Sequence, residues 1–330
     1  MKKPGLPIVL AIGLGWQGQV GICRQAPPLH YAAREVKRET HADGGPFLSH
    51  PVALARNESQ LFILDMDDDD IKVFSKSGAF EYVIGRKGQG PGEFHLPSGL
   101  DVLGDRLYVA DSANRRVQVV DTKGKYLSGF RIPFSPHRIL ALGPERIVVM
   151  SLPSGRDGRE KMLHGYDGSG QLLWEAGDSF YSRDSVYDLM RNRWFILKAA
   201  GGEFFLMRGA DDRAVRRLDE DGVLLGEAEV TEKYPFQEIE IPGRDGQRRT
   251  LRALCWNCAS DRERLYLLVP ERTEDDDLGP GRAIAVIGPA GEIVASIDLP
   301  ERLTRIAVEG NTIFGIDLEA RLRIFKLEPK

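Results

Sequence analysis

Leu107-Tyr108-Val109-Ala110-Asp111, then Arg116-Val117-Gln118-Val119-Val120-Asp121, then Thr122-Lys123-Gly124: this stretch decides the fold. Two runs of β-forming residues with period-2 alternation are bounded by Asp, Asn and Gly, which is the signature of a hairpin. Tyr126-Leu127-Ser128-Gly129-Phe130 follows as a further strand, and Ser98–Leu103 supplies one before it. The pattern recurs upstream as Leu61-Phe62-Ile63-Leu64-Asp65 and Val73-Phe74-Ser75-Lys76-Ser77-Gly78. Asp65 and Asp111 are 46 positions apart, and so are Gly78 and Gly124. Tyr166-Asp167-Gly168-Ser169-Gly170 continues the beat, with Gly170 another 46 positions on. Self-similarity of this length marks a propeller or solenoid, and four short strands per unit make a propeller blade.

Three further units are less regular. Glu203–Met207 leads to Leu218–Gly222, Arg264–Val269 leads to Val286–Gly291, and Thr312–Asp317 leads to Arg323–Leu327. Residues 47–330 are 284 positions, about 47 for each of six units, whereas seven would leave about 41. The expected fold is therefore all-β, a six-bladed β-propeller of four-stranded blades over residues 26–330. The last unit runs out of chain after its third strand, which would leave an unpaired sheet edge. A polar segment at 33–40 is expected to close the ring as the missing outer strand.

The 330-residue chain has 36 Gly and 3 Cys, with 42% apolar and 28% charged residues. That composition excludes collagen, a disordered chain and a disulfide scaffold. A formal charge of −4 gives no footprint for nucleic acid. Met1-Lys2-Lys3 precedes an apolar run from Leu6 to Trp16, too short to span a bilayer and suited to a secretory signal peptide within residues 1–25. Export to the periplasm or the exterior follows, as a monomer with no membrane span. Cys23 invites a lipid anchor, but Val20-Gly21-Ile22 places bulky Ile where a lipobox wants a small residue.

Between the first two units stands Gly85-Arg86-Lys87-Gly88-Gln89-Gly90-Pro91-Gly92-Glu93-Phe94, followed by Leu96-Pro97. Together with Leu107–Gln118 it resembles an NHL repeat and the secreted bacterial six-bladed propellers that carry a G-x-G-Q-G-P-G-E-F segment. The resemblance implies a six-bladed ring but no single activity, since relatives include protein- and RNA-binding modules, an amidating lyase and gluconolactonase-like hydrolases. Read directly, the linker is structural. No Gly-Lys-Ser/Thr ends it, and a strand rather than a helix follows.

Candidate chemistry gathers at the innermost strands. His50, His95 and His137 fall at related places in units 1 to 3 and could meet near one mouth of the channel. There they would bind a ligand or hold a divalent metal ion with an open position. The resemblance adds that the amidating lyase holds its metal with channel histidines. Arg138 and Arg305 also sit on innermost strands and would suit an anionic ligand. Arg191-Asn192-Arg193 and Arg213–Arg217 are balanced by nearby acids. Asp65, Asp67 and Asp69 imitate the start of a Ca²⁺ loop. However, Asp70 stands at the glycine position and Lys76 at that of the bidentate Glu, so a solvated loop is expected. Glu274–Asp277 reads the same way. Cys255-Trp256-Asn257-Cys258 is a C-x-x-C with no βαβ context, read as a local disulfide or a pair of buried thiols before redox or metal chemistry. No Gly-x-Ser-x-Gly elbow is present. The expected function is a ligand- or protein-binding scaffold without a cofactor, its site at the channel mouth or on the loops of one face. The specificity loops would be Tyr234–Arg249 and Glu271–Arg282. The alternative is a metal-dependent lyase or hydrolase using the three histidines.

Overall fold

The computed structural model describes residues 28–38, 47–152, 160–182, 185–242, 246–274 and 277–330. The expected signal peptide, Cys23 and the last two residues of the expected closing strand lie outside them.

The chain folds into six blades. Blade 1 runs Pro51–Arg56, Gln60–Asp65, Asp70–Ser75 and Phe80–Ile84. Blade 2 runs Gly99–Leu103, Arg106–Asp111, Arg116–Asp121 and Tyr126–Arg131. Blade 3 runs Pro136–Gly143, Arg146–Ser151, Lys161–Tyr166 and Leu172–Asp178. Blade 4 runs Trp194–Lys198, Phe204–Arg208, Ala214–Leu218 and Leu224–Glu229. Blade 5 runs Asn257–Ser260, Leu265–Arg272, Leu278–Ile287 and Ile293–Asp298. Blade 6 has Leu303–Glu309, Thr312–Asp317 and Leu322–Pro329, and takes its fourth strand from the N-terminal segment Leu29–Arg38.

That fourth strand does more than fill a gap. It pairs antiparallel with Leu322–Pro329 and, through Leu29 to Ala32, parallel with the outer strand of blade 5. Blades 5 and 6 thereby become one eight-stranded sheet.

The period of two builds the core. Along the second strand of blade 1, Leu61 and Ile63 pack towards Phe314, Ile316 and Ile324 of blade 6. Phe62 and Leu64 point the other way, to Leu107 and Val109 of blade 2. In blade 2, Tyr108 and Ala110 then meet Ile139, Val149 and Tyr166 of blade 3. Each blade is thus buried on both faces, so its middle strands read as continuous apolar runs. The glycine beat has a related cause. Gly78, Gly124 and Gly170 turn the third strand into the fourth with φ of +82°, +88° and +89°, a region costly for residues with a Cβ. Each also abuts the preceding blade, and a Cβ on Gly170 would come within 2.4 Å of Phe130. Gly222 and Gly291 repeat this contact against Trp174 and Glu229.

A second device repeats at the end of the second strand. Buried Asp65 accepts hydrogen bonds from the Ser49 and His50 amides, and Asp111 from the His95 amide. Each carboxylate also meets a cation of its own blade: Lys72 at 3.4 Å and Arg116 at 2.7 Å. Asp317 does the same with Arg323 at 2.8 Å. In blades 1 and 2 the device fixes where the chain enters the innermost strand.

Candidate functional site

Arg138 and Arg305 stand near the starts of the innermost strands of blades 3 and 6, and Arg193 immediately precedes that of blade 4. All three therefore lie at the same end of the ring. The channel behind them is a cavity of about 290 Å³ walled by the innermost strands of all six blades. The wall is tight: a Cβ on Gly99 would approach the Arg138 Cα to 2.9 Å, so glycine lets blades 2 and 3 close up there.

The three arginines are half-buried and feel one another. Burial, then the charge of Arg193, pulls Arg138 down to about 10 from an ordinary value of 12.5. Arg305 is brought to about 10 by burial and then by Arg138 and Arg193. Arg193 is lowered, chiefly by burial. Their polar partners are carbonyls and rings. Arg305 donates to the carbonyls of Val52 and Thr304, each at 2.8 Å. Arg193 donates to the Trp256 carbonyl and lies 5.1 Å from that ring. Arg138 lies 4.7 Å from the Phe195 ring, and its buried Nε has no hydrogen-bond partner among the described residues. No described carboxylate forms an ion pair with any of the three. At the far end of the channel the cations are matched: Lys198 pairs with Asp101 at 2.9 Å and Arg56 with Glu309 at 2.6 Å.

His137 shares the mouth. Burial first, then Arg138, Arg193 and Arg305, hold its imidazole down to about 3, so it is neutral at physiological pH. The other two histidines do not join it. His50 and His95 are clamped by their amides to Asp65 and Asp111, and their rings turn to the acidic loop of blade 1. The His50 ring lies 3.3 Å from Asp67 and that of His95 3.8 Å from Asp69. Among the described residues no three His, Cys, Asp or Glu side chains come together as a metal-binding group. The three histidines named for the alternative metal reading therefore do not converge among the described residues.

The acidic run is solvated only in part: Asp67 and Asp68 are exposed, as expected of a loop, but the two residues after them are not. Asp69 is 1% exposed and accepts a hydrogen bond from the Leu96 amide, tying blade 1 to the linker of blade 2. Asp68 and Asp70 grip buried Lys72 at 2.6 and 2.8 Å, which satisfies the charge a Ca²⁺ ion would otherwise meet. Cys255 and Cys258 are free and buried, with no disulfide between them. Burial, and a hydrogen bond donated by its own S–H to Cys255, push the Cys258 thiol well above its ordinary value, despite nearby Arg138 and Arg193. A thiol held protonated is a poor nucleophile.

One arrangement has no forewarning in the sequence. His164 Nδ1 lies 2.9 Å from Glu175, and its Nε2 lies 3.4 Å from Ser151 Oγ. The order imitates a nucleophile, base and orienting acid. Ser151 occupies the place of Asp65 and Asp111, however, and His164 that of Lys72 and Gln118. Ser151 donates to the Lys161 carbonyl, and both it and His164 are buried. This is blade 3's version of the structural device.

The mouth opens beside a second cavity of about 810 Å³. Its walls come in part from the two segments expected to carry specificity and in part from blade 4 and the entry to blade 5. The segment between blades 4 and 5 forms a hairpin, Gln237–Pro242 with Arg248–Ala253, packed on the helix Ser185–Arg191 through Ile241, Leu251, Tyr187 and Met190. The blade 5 insertion lengthens that blade's two middle strands to Arg272 and from Leu278.

A family model described as a six-bladed β-propeller matches residues 48–142. No curated protein matches the sequence. Among solved structures, a Bacteroides fragilis protein described as exported is 15% identical with a TM-score of 0.61, over 92% of this chain and 95% of that one. Hydrazine synthase of Kuenenia stuttgartiensis is 12% identical with a TM-score of 0.53, over 86% and 97%. Virginiamycin B lyase of Staphylococcus aureus is 12% identical with a TM-score of 0.52, over 84% and 95%. At these identities the likeness speaks for the propeller fold alone. The NHL repeat remains a resemblance of the first linker.

Proposed function

We propose that this propeller is a binding scaffold whose ligand is an anion held at the channel mouth by Arg138, Arg193 and Arg305. The observation that carries the reading is the set of three neighbouring guanidiniums with no described carboxylate partner. Proteins seldom bury a charge without pairing it, because the desolvation cost is large. Guanidinium groups present fixed forks of donors that match oxyanions. An anion at this mouth would supply the missing counter-charge and accept from Arg138 Nε. The neutral His137 can donate one further hydrogen bond without adding repulsion.

The test is a thermal melt with inorganic phosphate against sodium chloride at equal ionic strength. Phosphate is expected to raise Tm by several degrees at concentrations well above its Kd. Arg305→Gln, at a side chain facing the channel, is expected to cut that rise by more than half. An equal response to phosphate and chloride, or a full response in the variant, overturns the reading. We further propose that the protein works after export. The charged and apolar run at residues 1–16 and the likeness to an exported protein support this. The mass of the mature chain tests it: an intact residue 1 would refute cleavage, and a diacylated Cys23 would reveal an anchor.

A further inference from the structure

We infer that the ligand is an organic phosphate monoester, its head in the arginine cluster and its apolar body in the adjoining 810 Å³ cavity. This rests on the reading of the mouth as an anion site. Arg193 and Trp256 join the two spaces. Both line the second cavity, and Arg193 also belongs to the charge cluster that includes Arg138. Phe195 ties them further, for the guanidinium carbons of Arg138 and Arg193 lie 4.7 and 5.4 Å from its ring.

The cavity has the size of a small-molecule site, within the usual range of about 300–1,000 Å³. Met190, Ile239, Leu251 and Leu278 give it apolar wall, suited to an aromatic or short aliphatic body. Two of its three acids are already engaged: Glu238 holds Arg252 at 2.8 Å and Glu240 holds Arg248 at 2.7 Å, while the third, Asp277, is exposed to solvent and set against the lining cations Arg193, Arg248 and Arg272. They therefore do not call for a cationic ligand. The Trp256 indole Nε1 is buried without a partner among the described residues, and its ring lies 5.1 Å from the Arg193 guanidinium carbon. Head-group charge follows from the count of cations. A phosphate monoester carries between one and a half and two negative charges at neutral pH, roughly matching three guanidiniums better than a carboxylate with one.

Isothermal titration with four compounds tests this: phenyl phosphate, inorganic phosphate, benzoate and phenol. Phenyl phosphate is expected to bind at least about tenfold more tightly than inorganic phosphate and than benzoate, with phenol weaker still. Thr250→Trp places a large side chain at an exposed position on the cavity wall, away from the arginines and the core. It should bring phenyl phosphate down to the affinity of inorganic phosphate and leave the latter unchanged. Equal affinity for phenyl and inorganic phosphate in the parent protein overturns the body in the cavity while leaving the anion site standing. Benzoate binding as tightly as phenyl phosphate overturns the doubly charged head. Phenol doing so, or no binding by either phosphate, overturns the anion site itself.

Discussion

Removal of residues 29–38 lowers Tm by about 10 °C or more and drives the protein towards association. The segment holds seven antiparallel register pairs with blade 6 and four parallel ones with blade 5. If each backbone hydrogen bond contributes about 0.5–1 kcal/mol net, the loss reaches several kcal/mol. At about 2–4 °C per kcal/mol for a chain of this class, a shift of this order follows. Two further costs push the same way. Arg323 is 1% exposed and shares its charge with Glu35, Asp317 and Glu301, so it would lose one of three carboxylates while staying buried. Both Ile293–Asp298 and Leu322–Pro329 would become open edges, the usual template for edge-to-edge pairing. Differential scanning calorimetry with light scattering measures both effects. A synthetic peptide of residues 28–40 added in trans should restore much of the loss, since it returns the same ladder. A deletion that melts within about 2 °C of the full chain would show that the ring does not depend on this closure.

The closure was legible because a blade with three strands announces a missing fourth. The glycine beat was legible for a related reason: one residue type meets two demands at one spot, a positive φ and contact with the neighbouring blade. Long-range choices were not. Nothing local in Leu29–Ala32 says that it will also pair parallel with blade 5, because that depends on where blade 5's outer strand ends. Asp67 and Asp68 are exposed as a loop would be, but the engagement of Asp69 and Asp70 was not legible because their partners, the Leu96 amide and Lys72, are assigned by the next blade and by the turn. At the mouth, Arg138 and Arg305 could be read from strand position. Arg193 was missed because Arg191-Asn192-Arg193 was balanced as a block against nearby acids. Arg191 does pair with Asp211 at 3.2 Å, but Arg193 turns to the Trp256 carbonyl. Its place directly before the innermost strand was the available signal. The histidines misled for the opposite reason: their places are related but not equivalent, since His50 and His95 precede their innermost strands while His137 lies within its own, and the buried aspartates that hold the amides of His50 and His95 direct their rings elsewhere.

Arg138→Leu is expected to stabilise the ligand-free protein and abolish its response to phosphate. Arg138 is a base whose pKa is lowered in the fold, to about 10, so its proton is held less tightly there than in the unfolded chain. The resulting penalty is therefore present at every pH below about 10 and fades only above it. A displacement of that size corresponds to about 3 kcal/mol, reduced to about 1–2 kcal/mol by water in the channel and by loss of the contact with Phe195. Replacing an unmatched buried charge with an apolar group of similar reach commonly stabilises. Tm of the unliganded variant should thus rise by about 2–4 °C. The same substitution acts on His137. With its pKa at about 3, the folded imidazole refuses the proton that the unfolded chain takes up as pH falls through 6.5, so stability is lost progressively between those values. Arg138 is the largest single charge holding that pKa down, and without it the decline between pH 6.5 and 4 should be shallower. Chemical denaturation across this range, with and without phosphate, separates the outcomes. A variant that is less stable than the parent in the absence of phosphate, with an unchanged acid slope, would mean that the cluster is already neutralised within the protein and that no site for an outside anion exists there.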